Sequence, residues 1–155
     1  MPNELVVFFT AMIPFLELKL AIPLGSKLGL STVSTLMFAV PGTIIPGAIL
    51  LAILGPITNW ARKHSQKINL WLTTLFNKTR TDHSARFNRY GALFLILFVA
   101  IPLPGSSAGA AATVAFIFGV DYWRALSLIT VGTLIAGLLI AGGVESVVAL
   151  INLFN

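Results

Sequence analysis

Four long apolar stretches alternate with short polar breaks along the chain. Leu5 to Leu16 carries no charge and runs into Glu17-Leu18-Lys19-Leu20-Ala21-Ile22-Pro23-Leu24-Gly25. Leu28 to Asn59, Gly91 to Val120 and Ala125 to Val144 are likewise uncharged. A bilayer core of ~30 Å takes a helix of ~20 apolar residues. The third stretch is too long for one such helix, since as a continuous helix it would measure ~45 Å. Its middle reads Ile101-Pro102-Leu103-Pro104-Gly105-Ser106-Ser107-Ala108-Gly109, and two prolines with a glycine break a helix. The spacing predicts one short arm over Gly91–Ala100 and a second over Ala110–Val120, each about half a membrane long. That pattern suits a re-entrant hairpin, whose open backbone survives at membrane depth only where protein or a water-filled cavity satisfies it.

The first stretch repeats the theme. Ala21-Ile22-Pro23-Leu24-Gly25 resembles Ala100-Ile101-Pro102-Leu103-Pro104-Gly105. Setting Gly25 on Gly105 aligns the halves at an offset of 80 and places Pro41-Gly42 on Asp121-Tyr122. Each half then reads as hairpin, turn and spanning helix, with spans at about Gly42–Trp60 and Tyr122–Val144. The expected fold is an all-α integral membrane protein of two inverted repeats, each a re-entrant helical hairpin plus a transmembrane helix. It forms a single membrane domain over 1–155, with repeat 1 at about 1–60, an amphipathic basic linker at 61–80 and repeat 2 at about 81–155.

Composition supports a membrane solvent. The chain has 155 residues, 57% of them hydrophobic and 10% charged, with ten basic and five acidic side chains. A soluble domain carries about a quarter charged residues, so this chain is not a cytosolic enzyme, a disordered chain or a secreted disulfide scaffold, and its basic residues fit the cytoplasmic face of a membrane protein better than nucleic acid. There is no cysteine, hence no disulfide and no thiolate ligand. Trp60 to Tyr90 gathers Arg62, Lys63, Lys67, Lys78, Arg80, Arg86 and Arg89 against Asp82. By the positive-inside rule this segment is cytoplasmic. Both termini then lie outside a multi-pass protein of the cell membrane. Ile68, Trp71, Leu72, Leu75 and Phe76 recur at helical spacing within it and predict an interfacial amphipathic helix.

Few residues remain for chemistry. Glu17 stands first, because a carboxylate at membrane depth costs ~2.5–3.5 kcal/mol and usually faces a cavity with a partner. With Lys19 it is the candidate for proton coupling. The two breaks supply candidate tips of a substrate path: Pro23, Gly25 and Ser26 in the first, and Pro102, Pro104, Gly105, Ser106 and Ser107 in the second. Arg86, Arg89 and Arg124 could hold an acidic headgroup at the cytoplasmic mouth. Gly132 and Gly137 head small-residue surfaces suited to helix packing or homo-oligomers. His64 and His83 lack partners at metal-ligand spacing. No nucleophile elbow or phosphate loop occurs, so neither an enzyme, a metal nor a cofactor is expected.

Glu17 to Gly25, Ala100 to Gly105 and Gly119-Val120-Asp121-Tyr122-Trp123-Arg124-Ala125 together resemble the small multidrug export protein family. The resemblance covers nearly the whole chain. That family resembles in turn the DedA/VTT membrane proteins, whose fold has paired re-entrant hairpins. The wider group is linked to polyprenyl-phosphate recycling, lipid scrambling and proton-dependent drug resistance. The resemblance implies that Glu17 and Lys19 are the charged pair near the first tip, and that Pro102, Pro104 and Gly105 form the second. Ser106-Ser107-Ala108-Gly109-Ala110 departs from the family's threonine or glycine followed by an aromatic. Lys19 stands where arginine is common and loses bidentate anion binding. The expected function is secondary transport of an amphiphilic compound, drug-like or a lipid phosphate, with membrane lipids as partners and protons as coupling ion. The alternatives are an oligomeric accessory membrane protein and a scramblase without ion coupling.

Single cysteines at Asn3 and Asn155 test the topology. Both should react with an impermeant maleimide from the outside of intact cells. Reaction only from the cytoplasm would exclude the hairpin scheme.

Overall fold

In the computed structural model the described residues are 2–14, 16–101 and 105–154. Among them are seven α-helices and no strand: α1 (Asn3–Ala11), α2 (Glu17–Lys27), α3 (Thr32–His64), α4 (Gln66–Tyr90), α5 (Phe94–Ala100), α6 (Ala108–Ile117) and α7 (Tyr122–Phe154). Two are long and apolar enough to cross a bilayer, over Thr32–His64 and Tyr122–Val147. The four arms α1, α2, α5 and α6 have 9, 11, 7 and 10 residues. At 1.5 Å per residue they measure roughly 10–17 Å, well short of a ~30 Å core.

The elements recur ninety residues on, not eighty. Gly29 and Gly119 both take positive φ, +77° and +69°, in the turn before a long helix. Such a turn is open to glycine because it lacks a Cβ. Ser31 then caps α3 through Ser34 N–H, and Asp121 accepts from Trp123 N–H at the head of α7. Gly42-Thr43 and Gly132-Thr133 follow at the same interval. Each of these glycines lets a short arm approach closely. A Cβ at Gly42 would lie 2.5 Å from the Phe8 carbonyl oxygen, and one at Gly132 2.8 Å from that of Ile96.

The second arm of each hairpin packs on the long helix of the other half. Gly47 meets Ala108, Leu50 meets Gly109 and Gly55 meets Phe116, so α6 runs parallel to α3. Gly137 meets Leu18, while Ile22 and Ser26 share a small cavity with Ala141 and Glu145, so α2 runs parallel to α7. Leu36 against Gly137 and Thr32 bonded to Glu145 make α3 and α7 antiparallel. Two cores result. One joins Val7, Leu18, Ala21, Ile22 and Ala39 with Ala136 and Ala141, and the other Leu51, Leu95, Val99, Ala108 and Ala112 with Ile129.

Two expectations need correction. The first break is not at Pro23–Gly25, because α2 runs through Pro23 and the chain turns at 12–14 and 16 instead. Pro23 lies seven residues into α2, where its ring interrupts one helical hydrogen bond without ending the helix. Nor is there a break at Pro41-Gly42: α3 is continuous through Pro41, Pro46 and Pro56. The basic segment forms one 25-residue helix, α4, that ends at Tyr90. Short helices at Phe94–Ala100 and Ala108–Ile117 overlap the two arms expected there, and Pro102 and Pro104 lie outside the described residues. Gly132 and Gly137 are buried within the chain against α5 and α3, where they pack this fold.

Large apolar side chains are turned outward. Val33 and Met37 are each 68% exposed and Trp123 72%. Such faces suit hydrocarbon rather than water.

A Gly47→Cys/Ala108→Cys pair tests the exchanged arms, since a Cβ at 47 would sit 3.2 Å from that of Ala108 and the chain has no other cysteine. With a protease site inserted at Ser65, the oxidised halves should stay joined until reduced. Separation without reductant would refute the packing.

Candidate functional site

The site forms where the head of α2 meets the turn before α6. Leu16 N–H and Glu17 N–H both donate to the Ile13 carbonyl, which closes the first hairpin's turn. Glu17 follows with φ +39°, the non-glycine residue with positive φ among those described. A left-handed L-residue costs ~1–2 kcal/mol. The turn directs the carboxylate across to the second hairpin, where Glu17 Oε2 accepts from Ala108 N–H at 3.4 Å. Ala108 is the first residue of α6, and a helix N-terminus has unpaired N–H groups and a positive dipole end that favour an anion.

Lys19 reaches the same turn from another side of α2. Its Nζ donates to the Ser106 carbonyl oxygen at 3.4 Å. Glu17 and Lys19 stand in the first turn of α2, and each holds a different backbone group of the second hairpin. Ser106 Oγ donates to the Ile101 carbonyl at 2.6 Å, and Ser107 Oγ caps α6 by accepting from Ala110 N–H at 3.0 Å. Among the described residues of this turn, the Ile101 and Ser106 carbonyls and the Ala108 and Ala110 N–H groups are thereby partnered. Thr43 does the same for the first hairpin, donating to the last carbonyl of α1, that of Ala11, at 3.5 Å.

Beside this contact lies a cavity of about 670 Å³. Glu17, Thr43, Ser107 and Thr113 supply its polar groups; Met12, Pro46, Leu50 and Ala110 supply apolar wall. Ile49 and Ile53 stand at its rim and are 54% and 41% exposed. The mouth is therefore apolar on its outer side. A carboxylate with three hydroxyls in an apolar chamber of this size can hold an amphiphile and orient its polar end.

A second cavity of about 540 Å³ lies between α4 and α5. His83, Arg86 and Tyr90 give it a polar wall, Phe94, Leu97 and Phe98 an apolar one, and Gly105 with Ser106 close its inner end. Arg80 fixes α4 there, donating through Nε and Nη2 to the Ile117 carbonyl at 3.2 and 2.9 Å. Phe87 also stacks on Phe118 at 4.2 Å.

Of the predicted site residues, Glu17, Lys19, Ser106 and Ser107 come together at one place. Gly105 borders the second cavity. Pro23, Gly25 and Ser26 do not join them: they lie in the later part of α2, with Gly25 packed on Thr35. The three arginines do not converge. Arg86 lines the second cavity, Arg89 lies over the Tyr90 ring at 5.4 Å, and Arg124 is exposed in the first turn of α7. Thr43, Thr113 and Arg80 were missed. The Gly-Thr pair at 42–43, repeated at 132–133, was the available signal for Thr43.

A family model described as "Putative small multi-drug export protein" matches residues 17–139. No curated protein and no solved structure matches the chain. The matched span begins at Glu17 and takes in the second cavity and all of the first except Ala11, Met12 and Pro14.

Arg80→Gln removes a charged double hydrogen bond, the kind worth ~1.5–3 kcal/mol. Amide exchange across α4 should rise at least about tenfold. Unchanged protection would show that Arg80 does not hold α4.

Proposed function

This chain belongs to the small multi-drug export protein family, and we propose from that premise that it moves an amphiphilic compound through the chamber beside Glu17. The observation that carries the reading is the chamber itself. It is large and apolar, is walled by parts of both hairpins, carries one carboxylate and is rimmed by exposed isoleucines. The family and the apolar helices already make it a membrane protein.

In this reading α3 and α7 span the cell membrane in opposite senses, and the two halves are inverted repeats. Their short arms enter the bilayer and turn back inside it. Basic α4 lies along the cytoplasmic surface, where its exposed Trp71 and Leu70 meet lipid and its cations meet anionic headgroups. Both termini are then outside.

Cargo enters sideways past Ile49 and Ile53, with its apolar part against Pro46 and Leu50. Glu17 takes up and releases the coupling proton. Losing its charge weakens the hold on Ala108 N–H, so protonation and tip contact are linked. The second cavity, with Arg86 and His83, would receive the polar end of an anionic cargo on the cytoplasmic side. Lys19 stands between the two chambers on Ser106. Drug-like amphiphiles and lipid phosphates share the chemistry this path recognises, an apolar body with one polar end.

Proteoliposomes of the purified chain test this with a cationic dye, a fluorescent phospholipid and a polyprenyl phosphate, each with and without a pH gradient. At least one should move in a gradient-dependent way, and Glu17→Gln should slow it at least about tenfold while the protein stays folded. Movement of none, or full activity in Glu17→Gln, would overturn the reading.

A further inference from the structure

At the far end of α2 from Glu17 is a small polar cavity of about 30 Å³. Ser26, Thr32, Thr35 and Glu145 bring it four oxygen-bearing side chains. The volume is that of about one water molecule. Thr35 is 2% exposed, and its Oγ1 is buried without a hydrogen-bond partner. Other helical threonines here do not leave that group open. Thr10, Thr113 and Thr133 each donate to the carbonyl four residues back. A buried hydroxyl left unpaired costs ~1–3 kcal/mol, so its place at this cavity calls for a ligand.

The local fold is specialised for it. A Cβ at Gly25 would lie 2.5 Å from Thr35 Oγ1, so only glycine leaves that hydroxyl its room. Thr32 Oγ1 donates to Glu145 Oε1 and holds the carboxylate at the site. Ninety residues on, Gly25, Ser26, Thr32 and Thr35 correspond to Ala115, Phe116, Tyr122 and Ala125, and Glu145 corresponds to Gly55. Three of the four oxygen-bearing positions thus lack a side-chain oxygen in the other half.

We propose that this cavity binds a sodium ion, held by the hydroxyls of Thr35, Thr32 and Ser26 and by the carboxylate of Glu145. The donor set is all oxygen, which suits a hard cation rather than a transition metal. One carboxylate balances one positive charge, so the ion is monovalent. The C-terminal end of α2 and the N-terminal end of α3 both meet at the cavity, so their dipoles offset each other and the carboxylate carries the attraction. Lys27, in the last turn of α2, is exposed and does not line the cavity. The site departs from the expectation that no metal is bound. That expectation rested on histidine spacing, which says nothing about sodium.

Thermal unfolding of the purified full chain in detergent tests the site, with sodium, potassium or choline chloride at equal ionic strength. A ligand that binds the folded state alone raises Tm in a saturable way. Sodium should raise Tm by several degrees over choline, with potassium well below it. Thr35→Val keeps the side-chain shape and should stay folded in choline, yet lose the sodium shift. Glu145→Gln should lose it too, and exposed Ser26→Ala should reduce it. Glu17→Gln should keep it, because that residue lies at the other end of α2. Equal Tm in all three salts, an equal shift from potassium, or a full sodium shift in Thr35→Val would overturn the proposal. Ion binding is read here without cargo, so its failure and failure of the transport reading are separate results.

Discussion

The hold of Glu17 and Lys19 on the backbone of residues 106–108 is the interaction on which the centre of this molecule depends. Arms of roughly 10–17 Å cannot cross a bilayer. The turns between them free N–H and C=O groups, and an apolar surrounding cannot satisfy such groups. Glu17 takes the free N–H of Ala108, and Lys19 takes the Ser106 carbonyl. Serine side chains at 106 and 107 serve two more groups. The two charged residues thus have a structural duty before any transport duty. Glu17 is even held in left-handed backbone to perform it.

The exchange of arms gives that contact its setting. Because α6 lies on α3 and α2 lies on α7, each turn is delivered to the middle of the other half. Close approach at Gly42, Gly47, Gly132 and Gly137 makes this possible, since a side chain at any of them would meet a neighbour. The large chamber opens where Gly47, Ala110 and Thr113 leave room between α3 and α6. The related place beside Lys19, lined by Thr133, Ala136 and Ile140, is nearly filled, at about 10 Å³. The halves are alike in element order but unlike in what they enclose. The first half adds the oxygen-lined cavity around Thr35.

Much of the outline is legible from residue order. Uncharged stretches, a proline-rich break and a basic middle segment suffice for the second hairpin, the long helix Tyr122–Phe154 and the charged candidates. The first hairpin was misplaced because Pro23-Leu24-Gly25 looks like Pro102-Leu103-Pro104-Gly105. One proline inside a packed helix costs a single hydrogen bond, and burial of Ala21, Ile22 and Gly25 offsets that. The same reasoning explains why α3 runs straight through three spaced prolines. The eighty-residue alignment followed from that resemblance. The ninety-residue one needs Gly29 with Gly119 and Gly42-Thr43 with Gly132-Thr133, which are shorter signals. Thr35 and Glu145 come from helices far apart in the chain, and only folding shows them together.

The central claim is that cargo occupies the chamber beside Glu17. With no native cysteine, a single cysteine at Thr113, on the chamber wall, can be followed by its rate of maleimide labelling. Ser127, exposed on α7, provides the comparison position. A saturating transported compound should slow labelling at position 113 by at least about tenfold and leave position 127 unchanged. Equal rates at 113 with and without the compound, or equal protection at both positions, would contradict the account.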